Sequence, residues 1–196
     1  MNEECVIYDF ETLSQDTFNG VVVSVAIMTY TESRFATDPY TFDELVSKAK
    51  ILKFDVQEQV KKYNRTIDKN TIEWWRKQPK EAQVQIAPSS KDRSITELFN
   101  FYVAVVGNNN VKKVYTRGNT FDPVFFESII KQTGQVMPYD WWCIRDTRSL
   151  IEGMSWGSGL SNKFMPDGIE NFIHHDPKHD IALDVIRMQT LSNALS

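Results

Sequence analysis

Two cysteines in 196 residues, Cys5 and Cys143, are too few and too far apart for a disulfide framework or a zinc site. Both stand in apolar surroundings and read as reduced packing residues. No apolar run is long enough to cross a bilayer, and the opening MNEEC is acidic where a signal peptide would be basic. These absences point to the cytoplasm and to no membrane association. There is no internal repeat, low-complexity tract or Pro/Gly/Ser-rich linker, so residues 1–196 read as one domain. A basic excess is missing too: 22 Lys and Arg stand against 26 Asp and Glu, for a net charge of −4. Such a chain cannot draw nucleic acid by bulk attraction, which counts against a simple binding module. It does not count against a metal-dependent enzyme, because four clustered carboxylates would carry that charge and bound cations would neutralise it. Lys61-Lys62-Tyr63-Asn64-Arg65 and Arg76-Lys77 would then be free to meet phosphates. A zinc or nucleophile-based hydrolase ranks lower, since neither a Cys/His cluster nor a nucleophile motif is present.

What is there is an ordinary globular composition, 41% hydrophobic and 24% charged, sufficient for a real core. CVIYDF over residues 5–10 is a short apolar run of the kind found in a buried central strand. Gly20 opens VVVSVAIMTY, rich in β-branched residues, as a second strand. A third, weaker strand is expected around residues 34–37. Helices are expected over 42–50 and over 70–85, the latter interrupted by Pro79. Ser94 and Glu97 form a capping box for a helix that Gly107 ends. KKVYT (112–116) reads as a strand, residues 117–119 as its exit loop, and Asp122-Pro123 as a helix start running to residue 130. A strand over 139–144, a short helix over 147–153 and an irregular stretch over 156–167 follow. Asp176-Pro177 opens a last helix to near Leu195. Strands first, then alternating strands and helices, give a mixed α/β sheet.

Three acidic elements carry the chemistry. Asp9-Phe10-Glu11 ends the first strand, where residues two apart share a face. Both carboxylates can therefore converge on one hard divalent cation, which wants oxygen ligands. Alone the pair is weak, because D-x-E is common at solvated strand ends. RGNTFDPVFF then sets Asp122 at a helix start directly after a strand, as a helix cap would also stand. HHDPKHDIALD closes the set, with His179 five residues before Asp184.

D-x-E, then F-D, then H-x4-D, in this order and spacing, resembles the DEDDh 3′→5′ exonucleases of the DnaQ-like and RNase T superfamily. FDELV, TIEWW, IAPS, RGNTFD, the RDTR of residues 145–148 and HDPKHDIALD resemble the T-even phage exonuclease A group and its RNase AS cousins, and these pieces span nearly the whole chain. One departure is Val185 after Asp184, where the wider family often has Asp or Ala. The resemblance implies a ribonuclease H-like fold, a mixed five-stranded sheet flanked by helices. It also implies two Mg2+ ions, with Mn2+ able to substitute, held by Asp9, Glu11, Asp122 and Asp184. His179 would act as general base, and nucleoside 5′-monophosphates would leave from the 3′ end of a single strand. DNA is favoured over RNA, an exoribonuclease is the runner-up, and a non-catalytic binding module ranks far lower because all four acids and the histidine are present. The setting is a bacterial host's cytoplasm if the chain is phage-encoded, and a homodimer is left open.

The last motif can be read in two registers, because His175 also has an acid five residues on, at Asp180. The His179–Asp184 register is preferred. Asp176-Pro177 sets Asp184 about two turns into the helix, beside Ala182 and Leu183, where it can face the sheet; Asp180 lies nearer the exposed helix end. The resemblance also sets the small Ala182 between histidine and acid. Phe10, Thr12 and Leu13 flank the first motif as candidate contacts for the terminal base and sugar, with Asn119 and Phe121 from the loop before the second. Trp74 and Trp75, about 100° apart on a helix, should not share a face. One is expected in the core and the other could stack on a base, with packing of both slightly favoured. Arg145 and Arg148 are read as phosphate contacts or, equally, as structural ion pairs with Asp146 or another acid.

Overall fold

The computed structural model describes residues 4–107, 111–156 and 158–195. Its centre is β1 (Glu4–Thr12), nearly all buried. β2 (Val22–Thr31) runs antiparallel to it, with Asp9 opposite Ala26 and Glu11 opposite Ser24, and the register slips between Glu11 and Thr12. β3 (Lys50–Lys53) adds antiparallel to β2; β4 (Lys113–Thr116) runs parallel to β1, and β5 (Ile144–Asp146) parallel to β4. The order is β3-β2-β1-β4-β5. The carboxyl ends of β1, β4 and β5 therefore share one edge.

Strand alternation divides the core. Cys5 and Ile7 face one side with Ala26 and Met28, under α9 (Pro177–Leu195), α8 (Thr147–Ser155), α2 (Phe42–Lys48) and the single turn α1 (Arg34–Thr37). Val6, Tyr8 and Phe10 face the other, under α6 (Leu98–Val106) and α7 (Asp122–Gln132). α3 (Val56–Tyr63), α4 (Lys69–Trp75) and α5 (Lys80–Ile86) follow β3, and the last two close a small cluster of Leu13, Val21, Val23, Trp75 and Ala82 beyond the end of β1. No helix among the described residues is long and apolar enough to cross a membrane.

Several expectations are corrected. Residues 34–37 form a helical turn, because Phe35 folds back to stack on Tyr30 at 6.0 Å while Arg34 bonds Glu44. The third strand lies at Lys50–Lys53, and the helix before it stops at Lys48. The aromatic run at 139–144 gives a 3-10 turn at Trp141–Cys143, then β5 from Ile144; Trp141 and Trp142 are largely exposed and pack in no sheet. α3 was not anticipated, although Asp55 caps Glu58 N and Asn64 ends the helix in the left-handed region. Arg65 is not free for phosphate: it is buried, its Nε donating to Gly20 O at 2.7 Å and its Nη atoms to Gln132 and Ser128. The stretch over 156–167 carries no helix or strand among its described residues; residue 157 lies outside them.

Candidate active site

Asp9 and Glu11 continue the face of Cys5 and Ile7, so both carboxylates project toward α9 at the strand's carboxyl end. α7 begins at that same edge, and Asp122 stands in its first turn behind Phe121. Its Oδ1 accepts the Phe10 amide at 3.0 Å, which locks the α7 start to β1 between the two acids. α9 meets the strand running the opposite way. Its outermost acid, Asp180, is level with Glu11, while Asp184, one turn deeper, lies with Ile7 and Asp9.

The two histidine–acid pairs have different surroundings. Glu11, His175 and Asp180 each offer a ligand atom, and these atoms all lie within 4.8 Å of one another. His175 adopts a left-handed backbone, φ 62°, and its ring stands edge-on to Trp74 at 4.7 Å. Asp184, by contrast, is already matched. Its Oδ1 accepts from Arg117 Nη1 at 2.5 Å and Arg187 Nη1 at 3.3 Å, and its Oδ2 accepts from Thr147 Oγ1 at 2.5 Å. His179 faces Phe42 and Phe172, and its Nδ1 accepts the Ile173 amide at 3.1 Å. Of the two pairs, the one within reach of Glu11 is His175 with Asp180.

Crowded carboxylates in a dry setting raise one another's pKa. Burial first, then Asp122 and Glu11, push Asp9 well up; burial first, then Asp180, does the same to Glu11. Burial lifts Asp122 to about 7, although the Phe10 amide and Arg148 work against it. Burial and then Asp184 lift Asp180 to about 7, partly offset by the His175 amide. His175 is shifted below its ordinary value by burial and then by His174. The donors are oxygens from four acids with one imidazole alongside, a set that suits a hard divalent cation better than zinc. A cation there would relieve the repulsion that these shifts express.

A cleft of about 810 Å³ opens from Glu11, lined by Phe10, Thr12, Trp74, Thr71, Thr120 and Phe121 among others. Phe10, Thr12 and Phe121, expected from the sequence to meet the terminal nucleotide, line this cleft. Leu13 instead lies in the small core beside Trp75, and Asn119 is exposed and does not line the cleft. Trp75 is 2% exposed and donates Nε1–H to Thr12 O at 2.9 Å; Trp74, 42% exposed, forms a wall of the cleft. The Thr71 Oγ1 there is buried with no hydrogen-bond partner. Arg145 donates to the Trp142 and Ile144 carbonyls, while Asp146 caps α8 through Arg148 N, so neither arginine pairs with Asp146 through its side chain. Arg117 and Arg187, the counter-charges of Asp184, were not singled out in the sequence, although Arg187 follows Asp184 by three residues on one helix.

A 3-2-1-4-5 mixed sheet, with acids at the carboxyl edge of its central strand and on the last helix, defines a ribonuclease H-like fold of the nuclease kind. The chain matches the family described as 3′-5′ exoribonuclease Rv2179c-like domain over residues 4–188, and it belongs to that family. It is 31% identical to the exodeoxyribonuclease of Enterobacteria phage T4, over 93% of this chain and 86% of that protein. Its fold is similar to that of E. coli exonuclease I in complex with a dA16 oligonucleotide (TM-score 0.60, 14% identity, 98% of this chain and 43% of that one). A product-bound exonuclease I gives a TM-score of 0.58 at 10% identity, over 100% of this chain and 43% of that one. The chain thus spans about two fifths of the length of those solved structures.

Proposed function

We propose that the chain removes nucleotides from the 3′ end of single-stranded DNA as 5′-monophosphates, with Asp9, Glu11, Asp122 and Asp180 holding Mg2+ and His175 as general base. The observation that carries this is the convergence of Glu11, His175 and Asp180 within 4.8 Å at the mouth of the Trp74 cleft. Bound divalent cations would supply charge neutralisation at the phosphate and a water of lowered pKa. The chain's own residues do the rest. The cleft admits the terminal nucleotide between Trp74 and Phe121. His175 is shifted below its ordinary pKa and is therefore neutral near pH 7, so one imidazole nitrogen can take the proton of the attacking water. The left-handed backbone at His175 fits a residue held for function, as such strain is concentrated at active sites. Asp184 then serves as a buried anchor tying α9 to Arg117 and Thr147.

DNA is preferred on the strength of the phage T4 exodeoxyribonuclease relative. The family description favours the second reading, an exoribonuclease. Matched DNA and RNA oligonucleotides, labelled at either end and incubated with Mg2+ or Mn2+, decide between them. Stepwise loss from the 3′ end of DNA is expected; faster loss from RNA would select the second reading, and endonucleolytic cuts or no hydrolysis would overturn both.

A further inference from the structure

β3 pairs with β2 only over residues 24–27 of β2, so Thr29 lies beyond the ladder on an open edge. There the end of α2, the start of β3, α6 and the first turn of α9 enclose a groove of about 790 Å³. Lys48, Lys50 and Lys178 rim it, and Ala49, Ile51 and Phe101 form part of an apolar lining. No acid lines the groove, and among the described residues none of the three lysines stands within 4.0 Å of a carboxylate. Lys48 Nζ lies 5.4 Å from the centre of the Tyr40 ring, and three lysines so placed concentrate positive charge around an apolar hollow in a chain of net charge −4. The groove also lies near the chemistry. Asp9 pairs with Ala26, and Ala26 with Ile51, so two strand spacings, about 10 Å, separate the catalytic strand from the groove's lining.

We propose that this groove receives the phosphodiester backbone of the substrate strand on the 5′ side of the nucleotide being removed, a proposal that rests on the nuclease reading above. Lysine ammonium groups meet phosphate oxygens as mobile point charges, and the apolar lining accepts base faces without selecting a sequence. The groove's size is ordinary for a ligand site. An acidic protein that attracts no nucleic acid in bulk needs such a local seat, and counterion release at each phosphate contact supplies the affinity.

The test separates binding from hydrolysis. Anisotropy of labelled thymidine oligonucleotides of about twenty and about three residues is measured in EDTA across a salt series, for wild type, Lys48→Gln/Lys50→Gln and a control, Lys112→Gln/Lys131→Gln, at two exposed lysines away from the groove. Lys178 is left intact because it adjoins Asp180. The expected result is a roughly tenfold weaker Kd for the long strand only in Lys48→Gln/Lys50→Gln, with the slope of log K against log salt reduced by about 1.4, or about 0.7 for each lost contact. Hydrolysis of the short strand in Mg2+ stays unchanged. An unchanged long-strand Kd, an equal loss on the short strand, or equal loss in the control overturns the proposal, as does poly-glutamate competing as well as the long oligonucleotide. Wild type that binds the long strand through these lysines but hydrolyses nothing would defeat the nuclease reading and leave the groove standing.

Discussion

The turn before α9 and α9 itself present the same short pattern twice, a histidine with an acid five residues on, and the two copies have opposite surroundings. Asp184, deeper on α9, is bonded by Arg117, Arg187 and Thr147, and its histidine is packed between aromatic rings. Asp180, one turn nearer the edge, has Glu11 and His175 for company and a pKa raised to about 7. The difference lies in counter-charge. A buried acid that the protein has already paired with guanidinium groups is an anchor. One left among like charges is costly without a ligand, and such unrelieved cost is how a cation site differs from an ion-pair site.

The sharpest way to break this comparison is to neutralise each acid. Asp180→Asn should lower kcat by about three orders of magnitude or more, the scale of losing several kcal/mol of charge stabilisation, while the fold is kept. Asp184→Ala should cost about 3–5 kcal/mol of stability by leaving buried guanidinium charge unpaired. While folded it should lose no more than the roughly 10–100-fold of a supporting group. Paired denaturation curves and initial rates give both numbers, and the reverse pattern would restore Asp184 as the ligand. The histidines come next. His175→Ala should reduce turnover about 10²–10⁴-fold with substrate binding kept; His179→Ala should cost about 1 kcal/mol for the lost Ile173 bond and little rate. A crippled His179→Ala beside an active His175→Ala would return the general base to His179.

The sequence made most of the fold legible; at the α9 motif it favoured the His179–Asp184 register, whereas the reading proposed above takes His175 and Asp180. Long apolar or β-branched runs marked β1 and β2, and Asp-Pro steps marked the starts of α7 and α9, because these signals are local and strong. Asp9, Glu11 and Asp122 were readable because strand alternation and a helix start fix where such side chains project. On α9, depth alone favours Asp184 as a ligand, whereas its counter-charges, visible only in the fold, support Asp180 in the reading proposed above. Of those counter-charges, Arg187 stands three residues after Asp184 on the same helix, but Arg117 comes from a loop distant in sequence. β3 is four residues with lysine at both ends, and a short edge strand of that kind carries little periodicity.

The neighbouring tryptophans sharpen the same contrast between a face open to ligand and a face committed to the core. Trp74→Ala should raise KM for oligonucleotides by the about 1–3 kcal/mol of one base stack, with stability nearly unchanged. Trp75→Ala should instead destabilise by about 3–5 kcal/mol, removing a buried indole and its bond to Thr12 O. Equal KM for Trp74→Ala and wild type would remove that residue from the binding site.

The smallest effect is thermodynamic, and it tests the open acid cluster directly. Asp122 and Asp180 hold protons up to about pH 7 in the folded chain, whereas unfolded carboxylates release theirs near about pH 3.9. Between those values the folded state binds more protons, so these acids make stability fall as pH rises from about 4 to about 7. His175 and His179, both shifted below their ordinary values, act in the opposite sense, since the unfolded chain takes up their protons first. The difference between wild type and Asp180→Asn isolates the carboxylate share. In EDTA, Asp180→Asn should melt above wild type near about pH 8 and close to it near about pH 4, with each kcal/mol worth about 2–4 °C in a chain of this size. Mg2+ binds the ionised cluster, so it should raise the wild-type Tm clearly at the higher pH and little at the lower, where protons compete. Asp180→Asn should lose most of that rise. An Mg2+ shift equal at both pH values, or equal in the two proteins, would mean that Asp180 does not belong to a cation site.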